Sequence, residues 1–234
     1  MILGDPGAGK STLAKWLSYR IAADDRPRVP FLVILRDLSE ALRAGERTLE
    51  EYLPGVARTP YNIPFLPEAV EYLLLNGRAV VLLDGLDELT DLSLRQRVVD
   101  LVDGFAALHP LVPIVVTSRS IGYTDAPLRW PAFQTTTTIA AFSDDQVKAY
   151  ARNWFDLDDG TAPHERAGLC EAFLRDSATI HELRSNPMLL ALLCAMYRTE
   201  RYIPGNRAEV YERCAVTLFE FLRRWAAGEF SVLG

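Results

Sequence analysis

Residues 4–11 read Gly4-Asp5-Pro6-Gly7-Ala8-Gly9-Lys10-Ser11, a glycine-rich run that ends in a lysine and a hydroxyl residue. Its glycines let the backbone curl so that successive amide N–H groups converge on one spot, beside the positive end of a following helix. That is the chemistry of a phosphate cradle. Lys10 would reach the β- and γ-phosphates of a nucleoside triphosphate and the Ser11 hydroxyl would bind Mg²⁺, with Thr12 the next residue of the nucleotide-binding set. A flexible glycine turn is the alternative reading, but the pattern arises by chance in only about one chain in a hundred of this length. Lysine usage points the same way. Of 25 basic residues only Lys10, Lys15 and Lys148 are lysines, and one of them stands where a slender ammonium fits and a planar guanidinium does not.

Outward from this loop, the chain alternates between apolar strands and amphipathic helices. Met1-Ile2-Leu3 reads as the tail of a buried strand, shorter than the usual five or six residues, so its beginning is expected to lie further toward the N-terminus. Lys10 to Ala22 carries helical spacing, and Arg26-Pro27-Arg28 is expected to break it. Pro30 to Leu35 is an apolar run of strand length. Thr48 to Leu53 and Leu66 to Leu75 are helical, with prolines 54, 60, 64 and 67 interrupting the chain between them. Ala79 to Leu83 is a second apolar strand, Leu92 to Leu108 an amphipathic helix, Pro113 to Val116 a third strand and Thr135 to Ile139 a last one. Strands apolar on both faces and alternating with helices predict a parallel sheet covered on two sides.

From Phe142 the character changes. Ser143-Asp144-Asp145-Gln146 is a capping-box signature, and everything after it reads helical. The expected organisation is an α/β domain over 1–142, its first strand truncated, and a helical domain over 143–234.

Two further stretches carry chemistry. Val80 to Glu88 (VVLLDGLDE) delivers Asp84 to the carboxyl edge of the sheet, where open α/β sheets bind ligands. There Asp84 can hold Mg²⁺ beside Ser11. Glu88, with Asp87 beside it, is placed to orient and deprotonate an attacking water; a solvated loop or first helical turn is the bland alternative. Thr117-Ser118-Arg119 follows the Pro113–Val116 strand, and an arginine at that edge can contact a γ-phosphate, though arginines at strand ends are usually surface residues.

Composition bounds the rest. The 234 residues are 49% apolar and 24% charged with net charge −6, which argues against coating nucleic acid or anionic membrane. Cys170, Cys194 and Cys214 show neither disulfide nor zinc spacing and suit buried thiols in a reducing cytoplasm. No apolar run approaches the roughly 20 residues that cross a bilayer.

These stations, in this order, resemble the NACHT family of signal-transducing (STAND-class) P-loop ATPases, relatives of AAA+ ATPases. LLDGLDEL, Leu82 to Leu89, is similar to the family's acidic motif, with Gly85 at its small position. VTSR, Val116 to Arg119, resembles its sensor motif, and FLVILRDL, Phe31 to Leu38, its second strand. Asn186-Pro187-Met188-Leu189-Leu190 resembles the segment whose proline packs on adenine; a helix start is the plain alternative for Pro187. The resemblance implies a three-layer, AAA+-like P-loop fold with sheet order 5-1-4-3-2 and a small helical lid leading toward a winged-helix domain absent from these residues. It further implies an ATP/ADP switch with slow, Mg²⁺-dependent hydrolysis and self-oligomerisation in the active state. Effector and sensor regions of the same polypeptide would complete a role in innate immunity or defence against phage.

Other classes make different demands. A P-loop kinase needs an acceptor pocket and usually an arginine-rich lid, and lacks a glutamate such as Glu88. A GTPase needs an Asn-Lys-x-Asp motif, which is missing. A AAA+ motor acting on nucleic acid would show an arginine finger for a neighbouring subunit and robust turnover; such a motor, or a P-loop kinase, is the alternative reading.

Overall fold

A computed structural model describes residues 1–24, 28–45, 48–58, 66–125 and 127–227. The expected break at Arg26 and Pro27, and prolines 60 and 64, lie outside them. The chain divides into two compact units, Met1–Ile139 and Ala140–Gly234.

The first unit is built on five parallel strands: β1 (Ile2–Leu3), β2 (Val29–Ile34), β3 (Ala79–Asp84), β4 (Ile114–Ser118) and β5 (Thr137–Thr138). Their order is β2-β3-β4-β1-β5; counted from the opposite edge this is the expected 5-1-4-3-2. All six residues of β3 are buried, as a central strand covered on both faces requires. The helices are α1 (Lys10–Ala22), α2 (Leu35–Ala44), α3 (Leu49–Arg58), α4 (Pro67–Leu75), α5 (Leu92–Leu108) and α6 (Ser120–Asp125).

Several local expectations need correction. The second strand stops at Ile34, because Leu35, Leu38, Ser39 and Leu42 form the buried stripe of α2. Pro54 does not interrupt the chain but lies inside α3. That helix instead opens at a reciprocal cap, in which Glu51 N–H donates to Thr48 Oγ1 and Thr48 N–H to Glu51 Oε2. Thr117 and Ser118 belong to β4 rather than following it, since they pair with Ile2 and Leu3. The last strand shrinks to Thr137–Thr138, because its one neighbour, β1, offers two residues to pair with.

The core of this unit joins Phe31 and Val33 of β2, Val81 and Leu83 of β3, Leu38 of α2, Leu74 of α4 and Val98, Val102 and Phe105 of α5. Burying each such side chain contributes about 2 kcal/mol.

The second unit consists of α7 (Asp144–Asp156), α8 (Pro163–Asp176), α9 (His181–Arg184), α10 (Pro187–Glu200) and α11 (Arg207–Ala226). The expected box at Ser143 forms: Gln146 N–H donates to Ser143 Oγ and Ser143 N–H to Gln146 Oε1. Phe173 stands at its centre, 5.6 Å from the ring of Phe155 and 5.5 Å from that of Tyr197. Cys170, Cys194 and Cys214 are free thiols buried in this core. Burial pushes all three thiols up from the ordinary cysteine range. Among the described residues, no helix is long and apolar enough to cross a membrane.

Candidate functional site

Parallel strands bring their carboxyl ends to one edge, and the register fixes which residues meet there. Leu3 of β1 lies level with Ser118 of β4, and Leu83 of β3 with Val116 of β4. The glycine-rich loop, Asp84 and Arg119 therefore leave the sheet at the same edge.

The loop from Gly4 to Gly9 begins buried, with Gly4 N–H donating to Ser118 O, and turns where Ala8 N–H donates to Asp5 O. Gly7 and Gly9 adopt φ of 76° and 90°, left-handed backbone that a side chain disfavours. Gly9 is the N-cap of α1, and no side chain caps the helix there. The amides of Lys10, Ser11 and Thr12 thus head a helix of 13 residues without a competing side-chain acceptor, which fits an anionic ligand. Lys10 Nζ donates to the carbonyls of Gly4 (2.9 Å) and Asp5 (3.2 Å), so the ammonium rests over its own loop. Ser11 and Thr12 are exposed.

Asp84 is 6% exposed. The hydroxyl of Thr117, itself buried, donates to Asp84 Oδ1 at 2.5 Å and accepts the N–H of Gly85 at 3.0 Å. One threonine thereby orients the carboxylate and the first peptide beyond it. Gly85 has φ of 86°, and a Cβ there would stand 3.1 Å from Glu88 Cδ. This gives a physical reason for a glycine between the two acids.

Beyond Gly85 the chain makes a 3-10 turn, Leu86–Glu88, with Glu88 N–H donating to Gly85 O. Asp87 points back to the sheet: its Oδ1 accepts Arg119 N–H and its Oδ2 pairs with Arg119 Nε, both at 2.9 Å. Glu88 is exposed. The structure thus joins Asp84, Asp87 and Arg119 to neighbouring strand ends, with Glu88 free of the Asp87–Arg119 pair. Pro187 opens α10 in the second unit, after Asn186, whose Oδ1 accepts from Met188 N–H and Leu189 N–H; the helix-start reading of this proline accounts for its position.

Three residues were not assigned a role from the sequence. Thr117 lies within VTSR, where the arginine alone carries the sequence signal. Arg95 is 6% exposed in the apolar stripe of α5, beside Leu94, Val98, Val99 and Val102; an arginine at a stripe position was the available signal. Gly122 packs so tightly that a Cβ would fall 2.5 Å from Asp87 Cβ, and nothing in the sequence signals that.

For Mg²⁺ the donors fit a hard cation shared with phosphate: the Ser11 hydroxyl and the Asp84 carboxylate. Among the described residues, no group of three or more His, Cys, Asp or Glu side chains gathers into an all-protein cage. Mg²⁺ in nucleotide sites takes one or two carboxylates plus phosphate oxygens and water.

A glycine-rich loop between a strand and a helix, in a parallel sheet of this order with an acid ending the adjacent-but-one strand, defines the class of P-loop NTPases. The family model described as "NACHT domain" matches residues 1–158, and the chain belongs to that family of nucleotide-binding NTPases. It is 30% identical over 138 residues to an uncharacterised WD repeat-containing protein of Nostoc sp., an alignment covering 53% of this chain and 8% of that protein. Among solved structures it resembles domain III of the Thermotoga maritima replication initiation protein DnaA (TM-score 0.48, 15% identity, 94% of this chain and 82% of that one). It also resembles the Aeropyrum pernix ORC1 protein in complex with DNA (0.48, 16%, 92% and 58%) and C. elegans PCH-2 (0.49, 14%, 94% and 60%).

Proposed function

We propose that this chain is the nucleotide-binding part of an ATP/ADP switch with slow hydrolysis, controlling self-association and the activation of an effector region in cytoplasmic signalling or defence. Gly4 to Thr12 bind the phosphates, and Ser11 and Asp84 hold Mg²⁺, which neutralises the charge developing on the transferred group. Glu88 orients and deprotonates the attacking water. Arg119 senses the γ-phosphate.

The observation that carries this reading is the pair Asp87–Arg119. Arg119 holds Asp87 through both its backbone N–H and its guanidinium, and that guanidinium is half-exposed. A γ-phosphate competing for it would pull on the acid motif, so the presence of ATP would be felt one residue from Glu88. An arginine poised in this way couples nucleotide state to loop conformation, as a switch requires.

Glu88→Gln tests the assignment. The variant is expected to bind ATP as the wild type does and to lose at least about 100-fold in turnover, the size of a general-base contribution. In light scattering with MgATP it is expected to accumulate as an oligomer. Wild-type turnover in Glu88→Gln would contradict the catalytic role. A wholly monomeric ATP complex would contradict the switch.

A further inference from the structure

The apolar stripe of α5 is interrupted by Arg95. A leucine or methionine there would pack without the cost of removing a guanidinium from water. What the arginine reaches is specific. Its Nε donates to Leu89 O at 2.9 Å, its Nη2 to Leu89 O at 2.5 Å and to Asp87 O at 3.4 Å, and its Nη1 to Gly122 O at 3.3 Å. All three carbonyls belong to two segments: the turn of the acid motif that carries Asp87 and Glu88, and helix α6, which follows Arg119. The same two segments are pressed together where Gly122 meets Asp87 at a spacing that admits no Cβ.

We infer that Arg95 is a positioning residue that clamps the Asp87–Leu89 turn to α6, so that Glu88 and Arg119 keep a fixed mutual geometry. This rests on the reading that Glu88 activates water. A planar guanidinium presents its donors in a rigid fork, and one fork spans two backbone segments. An ammonium gathers its three donors on one atom at the end of a flexible stem and cannot span both segments at these separations. Arg95 touches no reacting atom. Its effect is on where the Glu88 backbone sits, and geometric errors of about 1 Å cost on the order of 100-fold in rate.

The test compares Arg95→Lys and Arg95→Met with Val102→Ala, a truncation of a buried residue two turns further along the same helix. Turnover of MgATP is expected to fall at least tenfold in Arg95→Met and several-fold in Arg95→Lys, with KM and ADP affinity within about twofold of wild type. Val102→Ala, although its melting temperature also falls, is expected to keep wild-type turnover. Hydrogen exchange gives an independent readout: in Arg95→Met, amides of 86–90 and 120–125 are expected to exchange faster together. Wild-type turnover in Arg95→Lys, an equal loss in Val102→Ala, or faster exchange in only one of the two segments would each overturn the inference. Wild-type turnover in Glu88→Gln would instead sink the hydrolytic reading, and the exchange experiment would then decide the clamp by itself.

Discussion

Replacing Thr117 by valine removes one oxygen from the centre of the site while keeping the shape of the side chain. The hydroxyl is buried and makes two hydrogen bonds, one to the Asp84 carboxylate and one from Gly85 N–H. Losing a buried bond to a charged group costs about 2 kcal/mol and losing a neutral one about 1 kcal/mol. Valine fills the same volume, so no cavity cost adds to these. The expected loss is therefore about 3 kcal/mol, which at a urea dependence of about 2 kcal/mol/M lowers the midpoint by about 1.5 M. Thr117→Ser keeps the hydroxyl and loses only a methyl, worth about 1 kcal/mol, so its midpoint should fall by about 0.5 M. A double-mutant cycle with Asp84→Asn should return a coupling of about 1–2 kcal/mol, because the two side chains touch. If the valine variant were as stable as the serine variant, the hydroxyl would not be holding Asp84 and Gly85, and the geometry described for this edge would be wrong.

Other outcomes follow from single contacts. Gly122→Ala should cost several kcal/mol and lower turnover, since the added carbon falls on Asp87 Cβ and neither backbone can yield without moving the acid turn; urea unfolding and an ATPase assay check this, and a neutral result would deny the close approach. Cys170, Cys194 and Cys214, buried with their thiols pushed up by desolvation, should resist iodoacetamide at pH 8 in the folded protein and react in urea; rapid labelling of native protein would contradict their burial. In the second unit, the Tyr197 hydroxyl donates to Asp176 Oδ2 at 2.6 Å. This bond, followed by Arg175, holds the Asp176 carboxyl below its usual range. Burial, followed by Asp176, raises Tyr197 to about 12. The aspartate's contribution is present above about pH 4 and fades as pH falls through its depressed value. The tyrosine's is complete below about pH 10 and fades as pH rises toward 12. Tyr197→Phe should therefore differ most from wild type between pH 4 and 10 in thermal unfolding, and a constant difference from pH 3 to 12 would refute the pairing.

The parts of the fold that were legible in the sequence are those set by local pattern. The glycine-rich loop, α1, α5 and the capping box at Ser143 follow from residues within a few positions of one another. The strand order came from family resemblance, because nothing in the apolar runs says which strand pairs with which. Boundaries slipped where two patterns overlap: Leu35 continues the apolar run of β2, yet its spacing to Leu38 and Leu42 starts α2. Pro54 misled because tertiary packing of α3 tolerates the one backbone bond that a proline removes. Within the site, Asp84, Asp87, Glu88 and Arg119 were legible as motif residues. The parts played by Arg95, Thr117 and Gly122 were not, since they depend on carbonyls, a carboxylate and a β-carbon 6 to 35 positions away, brought near only by the completed sheet.

The central claim is that Gly4 to Ser11 bind the phosphates of a nucleotide, and calorimetric titration of MgATP and MgADP into the wild type and Lys10→Ala tests it most directly. The wild type is expected to bind one nucleotide per chain. Lys10→Ala is expected to lose about 100-fold in affinity, the worth of charge-assisted bonds to phosphate of about 3 kcal/mol. Equal affinity in the two proteins, or no heat of binding in the wild type, would contradict it.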